Sequence, residues 1–204
     1  KYESVIFKGA DNKYYEKIGK NTVCIDDEIP FEIPSNWIWS RGSQCFKPME
    51  SIKPEGYSFD YIDIDAVNNK LNTIERPKNM ETMKAPSRAS RKICEGDTLF
   101  SMVRPYLKNI AYVSKQYEHC IASTGFYVFK PTTLFYPKYL YWLLLSPYIV
   151  DGLNQFMKGD NSPSINGDNV EQFLYPIPPL EEQKRIIVAL NNLLPRFDFF
   201  KKGD

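Results

Sequence analysis

Histidine is nearly absent from this chain: His119 stands alone among 204 residues. The four cysteines, Cys24, Cys45, Cys94 and Cys120, are widely spaced and form no Cys-x-x-Cys pair. A structural zinc site uses closely spaced thiolates and imidazoles, so the spacing predicts no metal centre. A chain of this length can fold on an apolar core without disulfides, which makes free thiols and a cytoplasmic setting the expectation. Long apolar runs are missing as well. The longest, Tyr139 to Val150, is interrupted by Ser146-Pro147 and falls short of the roughly 20 residues a membrane helix needs. No signal peptide opens the chain, and its first residue is Lys1 rather than Met, as in an excised or processed segment. Net charge is only +1. Phosphate binding would therefore need a local basic face.

Catalytic motifs are also missing. A methyltransferase would show a glycine-rich turn after a strand and an Asn/Asp-Pro-Pro-aromatic motif, whereas Pro178-Pro179 here runs into Leu180-Glu181. No phosphate-cradling loop ends in Lys-Ser/Thr, and Lys158-Gly159-Asp160 has no Gly-Lys-Ser/Thr downstream. Two carboxylate pairs, Asp63/Asp65 on one strand face and Glu95/Asp97, could hold a cation, but no suitably placed lysine completes a nuclease site. His119 beside Cys120 reads as structural rather than as a general base. The expectation is a chain without catalysis or cofactor of its own. The alternatives are a metal-dependent nuclease, a methyltransferase fragment, or an assembly scaffold that reads no DNA.

What is present is a core: 43% hydrophobic residues, 15% aromatic. Tyr61-Ile62-Asp63-Ile64-Asp65 alternates with the period of a half-buried strand. Further strands are predicted at Thr98–Val103, Asn109–Val113, Ile121–Phe129 and Phe173–Ile177. Residues 68–92, polar and interrupted by Pro77 and Pro86, read as a long irregular connection. Pro137 opens a buried helix through Leu145, Pro147 a second through about Met157, and Asn166-Gly167-Asp168 can cap a third. The fold class is α+β: a mixed, mostly antiparallel twisted sheet with helices, followed by a coiled-coil-type helix.

That last helix starts at Pro178-Pro179, with Glu181-Glu182 placed at its positive end. Ile186, Leu190, Leu193, Phe197 and Phe200 step by four, three, four and three, a heptad seam. It could pack on its own domain or on another chain. Pro195 should remove one hydrogen bond and kink the rod.

Basic residues concentrate in one stretch. Between positions 76 and 92, six cations (Arg76, Lys78, Lys84, Arg88, Arg91 and Lys92) face the single carboxylate Glu81. Ser87 and Ser90 are interleaved, so phosphate and base-edge donors occur together. Arg104, Tyr106, Lys108 and Asn109 form a second set, and Lys158, Asn161 and Ser162 a third. Each alone fits a solvated loop. Whether they converge is a question of fold.

Three ordered segments resemble the specificity subunits of type I restriction-modification systems. The first is Ser87-Arg88-Ala89-Ser90-Arg91-Lys92 followed by Glu95-Gly96-Asp97 and Val103-Arg104-Pro105-Tyr106-Leu107-Lys108-Asn109. The second is Ala122-Ser123-Thr124-Gly125-Phe126, closed by Pro131 and followed by Tyr139-Leu140-Tyr141. The third is Pro176-Ile177-Pro178-Pro179-Leu180-Glu181-Glu182-Gln183-Lys184-Arg185-Ile186, similar to that family's junction between target recognition domain and spacer helix.

The resemblance implies a leader over 1–34, a recognition domain over 35–178 and the start of a spacer or dimerisation helix over 179–204. It implies double-stranded DNA as ligand, read as one part of a split site. Modification (methyltransferase) subunits, and restriction subunits through them, are the implied partners. A full subunit carries two recognition domains, so a second copy or a second half is implied too. Gly96-Asp97, Pro105 and Thr124-Gly125-Phe126 are expected to be scaffold. Arg88, Arg91, Lys92, Arg104, Lys108 and the 158–162 loop are expected at the DNA, with Arg76, Lys78 and Lys84 in the stretch that varies with target.

Overall fold

Phe126–Pro131 is a strand with almost no polar alternation, and the fold explains why. Phe126 and Val128 face one core with Leu99, Ala111, Ile62 and Ala122. Tyr127 and Phe129 face the other, with Phe46, Phe100, Leu140 and Tyr175. A strand buried on both faces loses the period-2 signal of a half-exposed one. It belongs to an antiparallel sheet ordered Ile110–Tyr112, Thr98–Ser101, Phe126–Pro131, Phe46–Lys47. This sheet is the middle layer of an α+β fold, with helices on one side and a second sheet on the other. The computed structural model describes residues 3–201, with side chains through 194.

The second sheet runs Ala89–Lys92, Ile121–Ser123, Ser58–Ile62, Lys78–Glu81. Its central pair is parallel, in register over Ile121↔Tyr61 and Ala122↔Ile62 alone. Its other pairings are antiparallel. Residues 68–92 are thus not an irregular connection. They hold the hairpin strand Thr73–Ile74 and two edge strands of this sheet, Lys78–Glu81 and Ala89–Lys92. Strands of two to four residues are too short for alternation to register in sequence. Asp63 and Asp65 also leave the strand they were assigned to: it ends at Ile62, and Asp63 caps the 3-10 turn Ile64–Ala66, accepting from the Ile64 amide at 2.9 Å.

Helices pack on the other face of the middle sheet. Pro137–Leu145 begins on proline as predicted. Ser146 then caps Pro147–Asn154, its Oγ accepting from the Ile149 amide. Asn166 and Asn169 exchange reciprocal side-chain bonds as a capping box for Gly167–Gln172. The final helix, Leu180–Lys201, runs through Pro195.

The two ends of the 35–178 segment meet. Leu174–Ile177 pairs antiparallel with Ile38–Arg41. On that pair sits the expected leader, which is folded: Ser4–Lys8, Tyr14–Ile18 and Asn21–Cys24 form an antiparallel sheet. Ile6, Tyr14 and Ile25 pack against Trp39 and Leu174. Arg41 reaches back to Glu16 at 2.9 Å and to Glu28 at 2.7 Å. Burial pulls the Glu16 carboxyl upward, but hydrogen bonds from Arg41 and Ser4 outweigh it and hold it below its ordinary value.

Candidate nucleic-acid interface

One turn ties the first two basic segments together, and the third is tied to the second. Thr124 and Gly125 connect the strands Ile121–Ser123 and Phe126–Pro131, one in each sheet. The Thr124 amide donates to the Arg88 carbonyl at 2.9 Å, tying the turn to the first basic segment. The Gly125 carbonyl accepts from the Met102 amide at 2.9 Å, tying it to the second. A Cβ at Gly125 would lie 2.9 Å from Ile64 Cδ1, so a larger residue there would have to displace the end of that half-buried side chain. Val103 bridges Ser164, and the Ile165 amide donates to the Met102 carbonyl at 3.0 Å, which brings in the third segment.

Segments two and three lock together further. The Arg104 amide donates to the Pro163 carbonyl, and its guanidinium Nη2 donates to the Asn161 carbonyl, both at 2.8 Å. Pro105–Leu107 forms a 3-10 turn flanked by two non-glycine residues in the left-handed region, Arg104 (φ 47°) and Lys108 (φ 56°). Each costs on the order of 1 kcal/mol. The loop at 68–72 supports this turn: Asn69 Nδ2 donates to the Leu107 carbonyl at 2.9 Å and Asn72 Nδ2 to the Lys108 carbonyl at 2.8 Å. These asparagines were missed in the sequence, where they read only as a polar stretch.

Arg76, Lys78, Lys84, Ser87, Arg88, Lys92, Arg104, Lys108, Lys158, Asn161 and Ser162 are exposed, and Tyr106 is 45% exposed. Ser90 and Arg91 are half-buried, and Arg91 Nε is buried without a hydrogen-bond partner. Asn109 is a correction. It is buried, and its carbonyl takes the Ser101 amide at 3.0 Å, so it builds the turn rather than facing solvent.

The excess charge of the first segment is largely met within the protein. Arg88 pairs with Asp63 at 3.0 Å, Lys92 with Glu50 at 2.9 Å, Lys84 with Glu81 at 2.9 Å, and Lys78 with Asp65. The Lys78 ammonium is raised by its hydrogen bond to Asp65, and Lys92 by its bond to Glu50. Such surface pairs are weak, because water and salt screen them, so a phosphate can displace the carboxylate.

Three of the four carboxylates in the pairs that would serve a nuclease are otherwise engaged. Asp63 and Asp65 are taken by Arg88 and Lys78. Asp97 is buried against Lys130 at 2.9 Å and also accepts from the Cys94 amide at 2.9 Å. Burial raises the Asp97 carboxyl in spite of Lys130. The lysine beside Asp97, not foreseen in the sequence, makes a structural ion pair inside the fold. Gly96 (φ 92°) makes the turn that allows it.

The helix seam divides. Ile186 and Leu190 are half-buried against the domain's own core, and Ile187, off the heptad seam, is the buried anchor. Leu193 is 47% exposed. The side chains of Phe197 and Phe200 lie outside the described residues. At the helix start, Gln183 is fully buried, accepting from the Tyr136 amide at 2.7 Å and donating to the Leu134 and Pro178 carbonyls at 2.8 Å each. Glu182 accepts from Trp37 Nε1 and Asn36 Nδ2, both at 3.0 Å.

Comparison with known proteins decides the family. The model of the type I restriction modification DNA specificity domain matches residues 43–202. The chain belongs to this family. It is 28% identical over 132 residues to the HindI specificity subunit of Haemophilus influenzae, covering 63% of this chain and 28% of that one. It is 21% identical over 184 residues to the EcoAI specificity subunit of Escherichia coli, covering 85% and 30%. The crystal structure of the HsdS subunit from Thermoanaerobacter tengcongensis superposes with a TM-score of 0.78 at 35% identity, over 85% of this chain and 46% of that chain. A structure addressing complex assembly and conformational transition of the type I R-M system matches equally, at TM-score 0.78 and 35% identity. The chain thus spans under a third of each of these curated relatives and under half of these solved chains. Among the described residues no helix is long and apolar enough to cross a membrane.

Proposed function

We propose that this specificity domain is a non-catalytic reading head that binds one part of a split target in double-stranded DNA. The observation that carries this reading is that the three basic segments are linked in series: the Thr124-Gly125 turn ties Arg88 to Met102, and the Met102–Arg104 stretch is tied in turn to residues 161–165. A rigid frame with exchangeable cations suits DNA, because phosphate contacts position the protein while polar side chains between them reach base edges. Arg104 and Lys108, held in left-handed backbone, are aimed by the frame rather than by their own preference. Arg91, with an orphaned buried Nε, gains a partner if an acceptor docks beside it.

Leu180–Lys201 then serves as a spacer. Its first turns are fixed to the domain by Gln183 and Ile187, so the direction of the rod is set by the reading head. Leu193 starts the part of the seam that remains for a second copy or a second half of the subunit, and the modification subunits dock on the same assembly. Localisation in the cytoplasm, where chromosome and modification subunits meet, belongs to this reading.

The test is selection of duplexes from a random pool, followed by affinity measurement on the selected sequence. One enriched sequence is expected, with affinity lost in Arg88→Ala/Arg91→Ala while the fold survives. Failure to enrich any sequence would instead favour the assembly scaffold.

A further inference from the structure

Asp60, His119 and Cys120 meet beside the central parallel pair of the second sheet. Asp60 Oδ2 lies 3.0 Å from His119 Nε2, and Cys120 Sγ lies 3.8 Å from the same nitrogen. The three ligand atoms all fall within 4.8 Å of one another. Ligands bound at about 2.0–2.3 Å to one tetrahedral zinc stand roughly 3–4 Å apart. Small adjustments of these side chains would therefore centre an ion among them.

The carboxylate is already oriented for this role. Asn79, opposite Asp60 in the antiparallel register, donates from Nδ2 to Asp60 Oδ1 at 2.9 Å and leaves Oδ2 turned to the imidazole. Such outer hydrogen bonds characterise carboxylates that hold metals. The site opens on a pocket of about 520 Å³ that Cys94 and Glu118 also line. His119 is 60% exposed, so an ion can enter.

We propose that Asp60, His119 and Cys120 form a zinc-binding site with its fourth position open to this pocket. One oxygen, one nitrogen and one sulfur donor select a borderline-soft divalent ion over magnesium or calcium, which take oxygen alone. The wide cysteine spacing and the single histidine argued against a metal centre in the sequence; Asp60 and His119 are far apart in the chain, and only the sheet brings them together. The bound ion clips the start of Ile121–Ser123 to Ser58–Ile62, a parallel pairing with just two register pairs. It thereby stiffens the sheet whose edge strand carries Arg91 and Lys92. The site stands independently of whether that sheet reads DNA.

Cobalt(II) titration of the metal-free chain tests the proposal, since a thiolate–cobalt bond gives a near-ultraviolet charge-transfer band and tetrahedral cobalt a strong visible one. One cobalt per chain is expected, with both bands bleached by zinc. His119→Ala, at an exposed position, and Asp60→Asn should each weaken binding about ten-fold or more, and zinc should raise the Tm of the wild type but not of His119→Ala. Weak octahedral cobalt without charge transfer, a band that survives in Cys120→Ser, or affinity and thermal shift unchanged in His119→Ala would overturn it.

Discussion

Gln183, a fully buried side chain, and half-buried Tyr136 are joined by a 2.7 Å hydrogen bond from the Tyr136 amide to the Gln183 side-chain oxygen. The same side chain donates to the carbonyls of Leu134 and Pro178. One amide thus satisfies three backbone groups where the helix Pro137–Leu145, the Pro178-Pro179 segment and the final helix converge. A glutamine suits this point because it supplies both acceptor and donors. Gln183→Leu should cost about 1–3 kcal/mol, the penalty for stranding buried polar groups, and loosen the spacer relative to the reading head. Urea unfolding read by tryptophan fluorescence measures the cost.

Asp97 and Lys130 make a second buried commitment, at 6% and 5% side-chain exposure. Asp97→Asn leaves the buried ammonium with only the Glu50 carboxylate, at 3.8 Å, as counter-charge and should destabilise by less than the roughly 3–5 kcal/mol of a fully unpaired buried charge. Asp97→Leu combined with Lys130→Met should cost less than the single change, because no charge is then left buried. Denaturation midpoints of the two variants decide it.

Acid should weaken the attachment of the N-terminal sheet. Glu16 is depressed in the fold, so its ion pair with Arg41 contributes stability that is fully present above the ordinary carboxylate value of 4.5 and lost as pH falls through the lower folded value. Asp97 has the opposite sign: its raised carboxyl disfavours the fold as pH rises through the folded value. Stability of Glu16→Gln, followed from pH 7 to pH 3, should therefore fall less steeply below about pH 4.5 than that of the wild type.

Much of this fold was legible in the sequence. Prolines at 137 and 147 and Asn166 marked helix starts, because capping and proline chemistry act within a few residues. The strands at 78–81 and 89–92 escaped notice, since their pairing is set by partners at 58–62 and 121–123, far along the chain. For the site, the basic residues were visible but their counter-charges were not. Asp63 and Glu50 meet Arg88 and Lys92 only through sheet register. Asn109 looked like a contact beside Lys108, yet the turn buries it.

Asp63 restrains Arg88, so Asp63→Asn should tighten duplex binding by a few-fold, in keeping with the ~0–1 kcal/mol of an exposed pair. Asparagine can still cap the Ile64–Ala66 turn, and the fold should be unaffected. Affinities of both proteins at one fixed salt concentration check this.

Leu193 is the exposed residue among the described side chains of the helix seam. Leu193→Asp should leave the denaturation midpoint of the monomer nearly unchanged while abolishing any pairing of chains, as seen by light scattering. Leu190→Asp should instead lower the midpoint, because Leu190 packs on the domain's own core.

The salt dependence of duplex affinity most directly tests whether the three basic segments form one DNA-binding face. Log affinity against log salt should be linear and steep in the wild type. Arg88→Ala, Arg104→Ala and Lys158→Ala, one from each segment, should each lower the slope by about one unit where the cation meets a phosphate. A slope that none of the three changes, or wild-type affinity flat across salt, would contradict the account.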